Sequence, residues 1–279
     1  MNGAAPTGVA GRVCVVTGAA RGLGRAIAEA LADGGGKLAL CDVRGDDLAD
    51  TAAALRAAGA EVFAARCDVS DSAAVDAFFA DVADQLGPVE VLVNNAALVP
   101  GSPDDEVRRS RHYAWLTTPV ERGSLGFTSA MTDADWLKYW GVNVHGVFFC
   151  TRAALRQMEP RQFGRIVNIA SVAGLSNFSA HSPHYSATKG AVIAFTRAVG
   201  AEVAGANVFV NAIAPGGVAT PMFDDYLARL DDEARRSLFQ IIPAGRMGTM
   251  AEYASLAVYL AGDNHYLAGQ VISPNGGMF

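Results

Sequence analysis

The sequence has no excess of basic residues, since 22 lysines and arginines stand against 28 aspartates and glutamates among its 279 residues. With a formal net charge of −6, a nucleic-acid-binding surface is not expected. Cysteine is also scarce. The spacings of Cys14, Cys41, Cys67 and Cys150 match neither a zinc site nor a disulfide framework. We therefore expect no metal site, and buried reduced thiols near the predicted strands.

Long uninterrupted apolar stretches are absent as well. The uncharged stretch Val203–Phe223 contains Asn207, Asn211 and Pro215, which argues against a membrane-spanning helix. Met1–Gly11 lacks the basic start and apolar core of a signal peptide, so we expect residues 1–11 to form a flexible tail. These absences together predict a soluble, cytoplasmic protein without nucleic-acid or membrane partners.

Short apolar runs alternate with helical patterns along the chain. The predicted strands are Arg12–Val16, Lys37–Cys41, Glu61–Arg66, Val89–Val93, Arg165–Ala170, Val208–Ala214 and Gln270–Ile272. The predicted helices are Leu23–Ala32, Asp46–Ala58, Ser72–Leu86, Thr132–Met158, His184–Ala204 and Ala251–Ala261. This alternation predicts one α/β domain over residues 12–279, a doubly wound parallel sheet of about seven strands with helices on both faces.

Residues 98–131 interrupt this alternation because they show no clear period. Irregular connections beyond roughly 12–15 residues are uncommon in compact domains and are often functional. The charged part of this insertion contains Arg108, Arg109 and Arg111, which could bind a carboxylate or phosphate of a substrate. Asp104, Asp105 and Glu106 lie next to them, so a self-neutralising solvated surface is the alternative interpretation.

The same insertion contains Tyr113, Trp115 and Phe127. These aromatic side chains could form an apolar pocket wall, fasten the insertion to the body of the protein, or face another subunit. Further along, His181 and His184 invite a proton-relay hypothesis, against which we weigh exposed loop histidines without a role.

A glycine-rich turn, Thr17 to Gly24, follows the first predicted strand and opens the first predicted helix. Its glycines, Gly18, Gly22 and Gly24, permit a tight turn and let backbone N–H groups approach a pyrophosphate. The positive end of the helix dipole lies at the same place. A glycine-rich turn alone is a weak signal, but one between a strand and a helix predicts dinucleotide binding.

Asp42 ends the second predicted strand. A carboxylate there can accept hydrogen bonds from the adenosine ribose hydroxyls and would repel a 2′-phosphate, which favours NAD over NADP. Arg21 and Arg44 lie close enough in sequence to meet a phosphate, so NADP remains open. An ordinary solvated strand end is the remaining interpretation of Asp42.

Tyr185 and Lys189 are one helical turn apart in the predicted helix His184–Ala204, and therefore share a face. A lysine ammonium beside a phenol favours the phenolate and is expected to lower the pKa of Tyr185. Such a tyrosine can exchange protons near neutral pH. Ser171, at the end of a predicted strand, could stabilise charge on a substrate oxygen, although serines there are more often turn or cap residues.

Together these residues resemble the short-chain dehydrogenase/reductase family over nearly the whole chain. Other family motifs match Asp68-Val69, Asn94-Asn95-Ala96-Ala97 and the segment from Pro215 to Thr220. The resemblance implies a Rossmann-like fold and a catalytic tetrad of Asn143, Ser171, Tyr185 and Lys189. The cofactor-binding residues expected from the turn, Asp42 and the resemblance are Gly18, Arg21, Gly22, Leu23, Gly24, Asp42, Asp68, Val69, Asn95, Ala96, Tyr185, Lys189, Pro215, Gly216, Val218 and Thr220.

The resemblance also implies the roles of these residues. Tyr185 would be the general acid/base, Lys189 would also hold the nicotinamide ribose, and Asn143 would anchor a water relay from Lys189. Residues 222–247 resemble the family's substrate-covering segment. Subunits would pair through the helices Thr132–Met158 and His184–Ala204, as a homotetramer or homodimer.

The expected function is thus an NAD(H)-dependent oxidoreductase acting on a secondary alcohol or ketone. The alternatives are an NADP-dependent reductase of 3-oxoacyl thioesters and a non-catalytic nucleotide-binding scaffold. Ala97 departs from the family's glycine, and the interval from Asn95 to Asn143 is longer than the family's usual one. The longer interval leaves the substrate class open.

Overall fold

The structure is a computed structural model that describes residues 8–119, 121, 123–220, 227–228 and 231–278. Seven strands lie in one sheet, and their order across it is β3-β2-β1-β4-β5-β6-β7 with every pairing parallel. The strands are β1 (Val13–Thr17), β2 (Lys37–Asp42), β3 (Val62–Arg66), β4 (Val91–Asn94), β5 (Gly164–Ile169), β6 (Val208–Ile213) and β7 (Val271–Ile272). The order reverses between β1 and β4, where ligands of open α/β sheets bind beyond the carboxyl ends of the strands.

Helices connect these strands. They are α1 (Gly22–Asp33), α2 (Gly45–Ala57), α3 (Ser72–Leu86), α4 (Pro103–Thr117), α5 (Asp133–Trp140), α6 (Val147–Met158), α7 (Pro183–Val203), α8 (Asp232–Gln240) and α9 (Met250–Ala261). The doubly wound Rossmann-like architecture is confirmed, and the predicted helix bounds differ from those observed by no more than a residue or two outside the insertion. Within the described part of the chain, no helix has the length and apolar character needed to cross a membrane.

The core has two halves, one on each face of the sheet. On one face of the sheet, α1 contributes Ile27 and Leu31 and α9 contributes Leu260. These side chains pack against the residues of β1 and β2 that point to the same face. Phe78 of α3 and Ala154 of α6 pack on the opposite face. Successive strand residues point to opposite faces, so strands covered on both sides must be apolar throughout. All four cysteines are buried and free, as expected.

The predicted helix Thr132–Met158 contains an irregularity. Its first part is α5, its last part is α6, and Gly141–Gly146 between them forms a π-helical turn. Thr132 caps the start by accepting a hydrogen bond from Asp135 N at 3.1 Å. Such π turns cost helix stability and occur frequently at functional sites. The irregularity matters here because it contains Asn143.

The prediction that residues 98–131 lack a regular element is wrong. Pro103–Thr117 forms α4, which begins with a capping box in which Ser102 and Asp105 bond each other's backbone N–H groups. The helix was missed because its buried residues, Asp105 and His112, are polar and give no apolar period. The serine, proline and aspartate at its start are the signal that could have revealed it.

The expected tail and the expected covering segment lie only partly within the described residues. Residues 1–7 of the expected tail lie outside the described residues, but Val9 is fully buried and Gly11 N donates to Gly35 O at 2.8 Å. Residues 8–11 are thus anchored to the fold through Val9 and Gly11 rather than frayed. In the expected covering segment 222–247, residues 222–226 and 229–230 lie outside the described residues. The remainder contains α8 and Ile242, which is 4% exposed.

Candidate active site

The glycine-rich turn leaves β1 and enters α1 at the sheet's switch point. Gly18 has a φ of +65° and Gly22 of +58°, both in the left-handed region that favours glycine. A Cβ on Gly24 would lie 2.1 Å from Gly18 O and 2.4 Å from Asn95 Nδ2. The side chain of the N-cap residue Arg21 makes no capping hydrogen bond. The first-turn N–H groups of α1 thus have no side-chain cap, which fits a pyrophosphate seated there.

Asn95 ties this turn to the end of β4. Its Nδ2 donates to Thr17 O and Gly18 O, both at 3.0 Å. In return, Thr17 Oγ1 accepts from Asn95 N at 3.1 Å and from Ala96 N at 3.0 Å. Asn95 and Ala96 therefore lie beside the turn as predicted, and the Asn95 side chain shapes the turn. Leu23, at the end of the turn and the start of α1, packs against the core.

The adenosine side of the site contains two carboxylates. Asp42, at the end of β2, accepts from Ala20 N and from Arg44 N, each at 3.0 Å. These two bonds hold the carboxylate against the glycine-rich turn. The Arg44 guanidinium lies 3.4 Å from Asp47. Asp42 is thus fixed beside the glycine-rich turn.

Asp68 and Val69 lie beyond β3. Asp68 is exposed and accepts from Ser70 N at 2.9 Å and Ser70 Oγ at 2.7 Å. Val69 is 6% exposed and packs closely on Gly146, where an added Cβ would lie 2.7 Å from Val69 Cγ2. Both residues therefore follow β3, the strand that pairs with β2 and hence lies next to Asp42.

Ser171, Tyr185 and Lys189 come together after β5. The Ser171 side chain accepts from Ala173 N at 3.1 Å and also hydrogen-bonds the Tyr185 side chain. Lys189 Nζ lies 5.7 Å from the Tyr185 ring centroid and donates to Ile169 O at 2.7 Å. The serine from the strand end and the two residues of α7 therefore share one site.

Burial dominates the electrostatics of this group. It raises the pKa of Tyr185, while the hydrogen bond to Ser171 acts in the opposite direction. Burial also lowers the pKa of Lys189 to about 8. The expectation that Lys189 lowers the pKa of Tyr185 is therefore wrong for this structure. Its ammonium lies over the ring and bonds a carbonyl, and the Ser171 hydroxyl is the polar group that bonds the phenol.

Asn143 projects from the π-helical turn toward α7. Its Oδ1 accepts from Leu98 N at 2.7 Å, and its Nδ2 donates to Leu98 O at 3.0 Å and to Thr188 Oγ1 at 3.1 Å. Asn143 is fully buried. It therefore connects the start of the insertion to the residue just before Lys189, a contact that the sequence did not predict.

The segment from Pro215 to Thr220 follows β6 along the site. Pro215 O accepts from Val172 N at 3.0 Å, next to Ser171, and Val218 pairs with Gly248 in an isolated bridge. Gly216 N donates to Pro274 O at 3.1 Å. Sequence reasoning missed one supporting residue here: Tyr253 of α9, whose hydroxyl donates to Gly217 O at 3.0 Å. No motif signals that role.

The insertion contacts the loop that precedes Tyr185. His112 and His181 are buried, with their Nδ1 atoms 3.3 Å apart. His184 is also buried, and its ring centroid lies 4.0 Å from that of Tyr139 on α5. The expectation of exposed loop histidines is therefore wrong, because α4 and α5 cover them.

The arginines and aromatic residues of the insertion are mostly engaged within it. Arg108 pairs with Asp105, which supports the self-neutralising interpretation for that pair. Arg109 donates to Pro100 O at 2.9 Å, and the Arg111 guanidinium lies 5.7 Å from the Phe127 ring centroid. The Tyr113 ring packs edge-on against His181 and so fastens the insertion to the body, whereas the Trp115 ring packs on His112 of its own helix.

One surface depression lies far from this site. A surface depression of about 610 Å³ lies at the amino ends of the strands, lined among others by Gly11, Lys37 and Glu61. It is at the opposite end of the sheet from Tyr185, where the ligands of such folds do not bind. Among the residues that the structure describes, no three or more His, Cys, Asp or Glu side chains are grouped to hold a metal ion.

The reversal of strand order, the open helix N-terminus and the Ser171–Tyr185–Lys189 group are features of a dinucleotide-binding oxidoreductase. Comparison with known proteins agrees, since residues 12–231 match the family model described as short chain dehydrogenase. The chain belongs to the short-chain dehydrogenase/reductase family, whose members are oxidoreductases that bind a nicotinamide cofactor.

Individual relatives span nearly the whole chain. The short-chain reductase protein NovJ of Streptomyces niveus is 36% identical over 95% of this chain and 93% of its own. The 3-oxoacyl-[acyl-carrier-protein] reductase MabA of Mycobacterium tuberculosis is 36% identical over 96% of this chain and 92% of its own. The crystal structure of levodione reductase superposes with a TM-score of 0.81 at 32% identity, covering 96% of this chain and 97% of that one.

Proposed function

We propose that the protein is an NAD(H)-dependent oxidoreductase that interconverts a secondary alcohol and a ketone, with Tyr185 as its general acid/base. The observation that carries the proposal is the buried Tyr185 phenol, hydrogen-bonded to Ser171 with Lys189 beside its ring. This group follows β5, the neighbour of β4 in the sheet, and β4 is tied through Asn95 to the glycine-rich turn.

The side chains of the site have separate tasks in this chemistry. The nicotinamide, when bound, supplies hydride transfer. Tyr185 accepts the hydroxyl proton during oxidation and donates a proton to the carbonyl oxygen during reduction. Ser171 donates a hydrogen bond to the same substrate oxygen and stabilises its developing charge. Lys189 holds the nicotinamide ribose, and Asn143 keeps α7 and the start of the insertion in register through Thr188 and Leu98.

The preference for NAD rests on Asp42. Its carboxylate is held at the glycine-rich turn by two backbone N–H groups, so its charge stays where a 2′-phosphate would have to lie. Arg44, one of the two arginines that could meet such a phosphate, lies 3.4 Å from Asp47. A fixed carboxylate facing a ribose favours the dinucleotide without the extra phosphate.

A second candidate is reduction of 3-oxoacyl thioesters with NADP. It is favoured by the relatives named as 3-oxoacyl-[acyl-carrier-protein] reductases, such as MabA. The same Ser171, Tyr185 and Lys189 would serve that reaction, because the reacting group is again a ketone. Asp42 argues against its cofactor. The non-catalytic scaffold has less support, because a scaffold has no need for a buried phenol–serine pair beside a lysine.

We also infer a homotetramer or homodimer that pairs through α5, α6 and α7. Leu137 is 65% exposed and Phe148 is 43% exposed on the helices that the family uses for pairing. Large exposed apolar side chains on one helix pair indicate a contact surface. Light scattering in solution is expected to give a mass of two or four chains, and a monomer at all concentrations would exclude this assembly.

The deciding experiment is a cofactor-reduction screen. The purified protein is incubated with NAD or NADP and a panel of secondary alcohols, hydroxy acids, sugars and sterols, while 3-oxoacyl thioesters are tested with NADH and NADPH. We expect turnover of a secondary alcohol with NAD. Turnover confined to thioesters with NADPH would establish the second candidate. NADH binding without turnover of any compound would favour the scaffold.

A further inference from the structure

The contact between His112 and His181 is a polar link between the insertion and the catalytic region. His112 is 2% exposed and His181 is 5% exposed, and their Nδ1 atoms are 3.3 Å apart. A neutral imidazole has one donor and one acceptor nitrogen, so one ring donates and the other accepts. His112 belongs to α4, and His181 is in the loop that leads into Tyr185. The pair therefore fastens the helix of the insertion to the catalytic loop.

The opposite end of the same segment is attached to the tetrad. Leu98 exchanges two backbone hydrogen bonds with the Asn143 side chain, at 2.7 and 3.0 Å. Between Leu98 and His112 the chain turns through the capping box of Ser102 and Asp105 and continues as α4. The start of the insertion and the inner face of α4 thus span from Asn143 to the loop before Tyr185.

The inner face of α4 is also close to the residue beside the general acid/base. The charges of Asp105 and Arg108 influence the pKa of His184, which directly precedes Tyr185. They also influence the pKa of Tyr139, whose ring packs on His184. The glycine-rich turn and the segment after β6 define the cofactor side of the site. The side covered by α4 is therefore the one left for the substrate.

The geometry points to α4 as a wall of the substrate pocket, and to His112 and His181 as the positioning residues that dock it. This inference rests on the proposed function, because it assigns the wall to the substrate of that reaction. Docking favours two neutral rings, because the buried site disfavours the charge of an imidazolium. Substrate affinity should then depend on pH through this pair rather than through Tyr185.

The charges around the pair set the direction of this dependence. Burial, then Arg109 and His112, lower the pKa of His181 to about 4, with Arg108 adding to this and Asp105 opposing it. Burial likewise lowers the pKa of His112. The neighbouring Tyr113 and Trp115 present aromatic rings.

An undocked histidine has its ordinary pKa of about 6.5. Docking is therefore at full strength above about pH 6.5 and weakens as the pH falls from there toward about 4.

The first test follows KM and kcat between pH 7.5 and pH 5 with an uncharged substrate found in the screen. For one histidine with these two pKa values, docking weakens by up to about thirtyfold over this range, and KM should rise by at least about threefold. The double variant His112→Asn/His181→Asn keeps hydrogen-bonding atoms near both Nδ1 positions but has no ring to protonate, so its KM should stay flat. His112→Ala should have a raised KM at every pH.

The control is His145→Asn, since His145 is exposed on the π-helical turn and should follow the wild-type profile. A wild-type KM that does not change with pH would overturn the inference. So would a profile of the double variant His112→Asn/His181→Asn that follows the wild type. In this scheme kcat depends on Tyr185, and KM depends on how well α4 is docked. A pH effect on kcat alone would therefore also overturn the inference.

A second test does not need turnover. Hydrogen exchange of the peptide covering 103–117, corrected for intrinsic rates, should be faster at pH 5 than at pH 7 in the wild type and in His145→Asn. In His112→Asn/His181→Asn the corrected rates should be equal at the two pH values. Equal rates in the wild type would refute docking even if the enzyme is active. If hydrogen exchange depends on the histidine pair but no compound is turned over, the docking of α4 is supported and the proposed function is refuted.

Discussion

Lys189 Nζ lies 5.7 Å from the centroid of the Tyr185 ring and donates its hydrogen bond to Ile169 O at 2.7 Å, not to the phenol. The lysine is 3% exposed, so its ammonium is held in the core by a single carbonyl and an aromatic ring. Ser171 supplies the hydrogen bond to the phenol. Ser171 therefore bonds the phenol of Tyr185, the proposed proton-transfer group. The Lys189 side chain extends past that phenol to the end of β5.

Tyr185→Phe removes the phenolic oxygen and leaves the ring in place. If Tyr185 is the general acid/base, turnover should fall by about 10²–10⁴-fold, the usual contribution of such a group. NADH binding, measured by fluorescence titration, should change by less than about threefold because the ring stays. Tyr259→Phe is the matched control, since Tyr259 is 48% exposed on α9. Unchanged turnover in Tyr185→Phe would refute the assignment.

Lys189→Met should separate stability from activity. Burial lowers the pKa of Lys189 from 10.5 to about 8, which corresponds to about 3 kcal/mol of lost stability while the lysine is charged. Methionine removes that penalty and loses one hydrogen bond of about 1 kcal/mol. We expect a more stable protein by about 2 kcal/mol at pH 7 in thermal unfolding, with turnover strongly reduced.

The pH dependence of this gain has a defined sign. Between about pH 8 and 10.5 the unfolded lysine binds a proton that the folded one does not, so wild-type stability should rise with pH there. The advantage of Lys189→Met should shrink over the same range. Lys37→Met is the control, because the Lys37–Glu61 pair at 3.0 Å is partly exposed and contributes little. A gain independent of pH would contradict the role of the buried charge.

Gly24→Ala places a Cβ 2.1 Å from Gly18 O, a backbone atom that can move only if the turn moves. The substitution should weaken dinucleotide binding by at least about tenfold, because the turn positions the N–H groups that meet the pyrophosphate. Isothermal titration with NADH measures this. At Gly205 an added Cβ has no neighbour within 4 Å, so Gly205→Ala should bind like the wild type. Equal affinities in both variants would place the pyrophosphate elsewhere.

Asp42→Asn should change the cofactor preference. Removing the negative charge should raise kcat/KM with NADP by about tenfold relative to NAD, a change of about 1.4 kcal/mol. The asparagine oxygen can keep only part of the two bonds to Ala20 N and Arg44 N, so a modest loss with NAD is expected as well. Asp50→Asn, an exposed change of the same charge on α2, is the control. An unaltered NADP-to-NAD ratio in Asp42→Asn would remove Asp42 as the selecting residue.

Most of the sheet could be predicted from the sequence because its strands are covered on both faces. β1, Val13–Thr17, has no exposed residue, and a doubly buried strand must be a run of apolar residues. Ser72–Leu86 was predicted to the residue because Asp71 caps its start and Gly87 ends it. Local rules therefore suffice where one residue, such as a cap, decides a boundary.

Helix α4 and the three buried histidines could not be predicted in the same way. The inward residues of α4 are Asp105 and His112, which look like a solvated surface in the sequence. His112 is buried against His181, which is distant along the chain. The expected effect of Lys189 on Tyr185 failed for a related reason. Spacing places the two residues on one face of α7, but rotamer, burial and the Ile169 carbonyl set where the ammonium lies.

The sequence by itself determined the parallel α/β sheet and the position of the glycine-rich turn between a strand and a helix. It also placed Tyr185 and Lys189 on one helical face, because periodicity and caps act between neighbours along the chain. Only the tertiary structure decided that Ser171 bonds the Tyr185 phenol, that Asn143 connects Leu98 with Thr188, and that α4 closes over His181. Those contacts join residues far apart in the chain, and burial, which sets their energies, exists only once the elements pack.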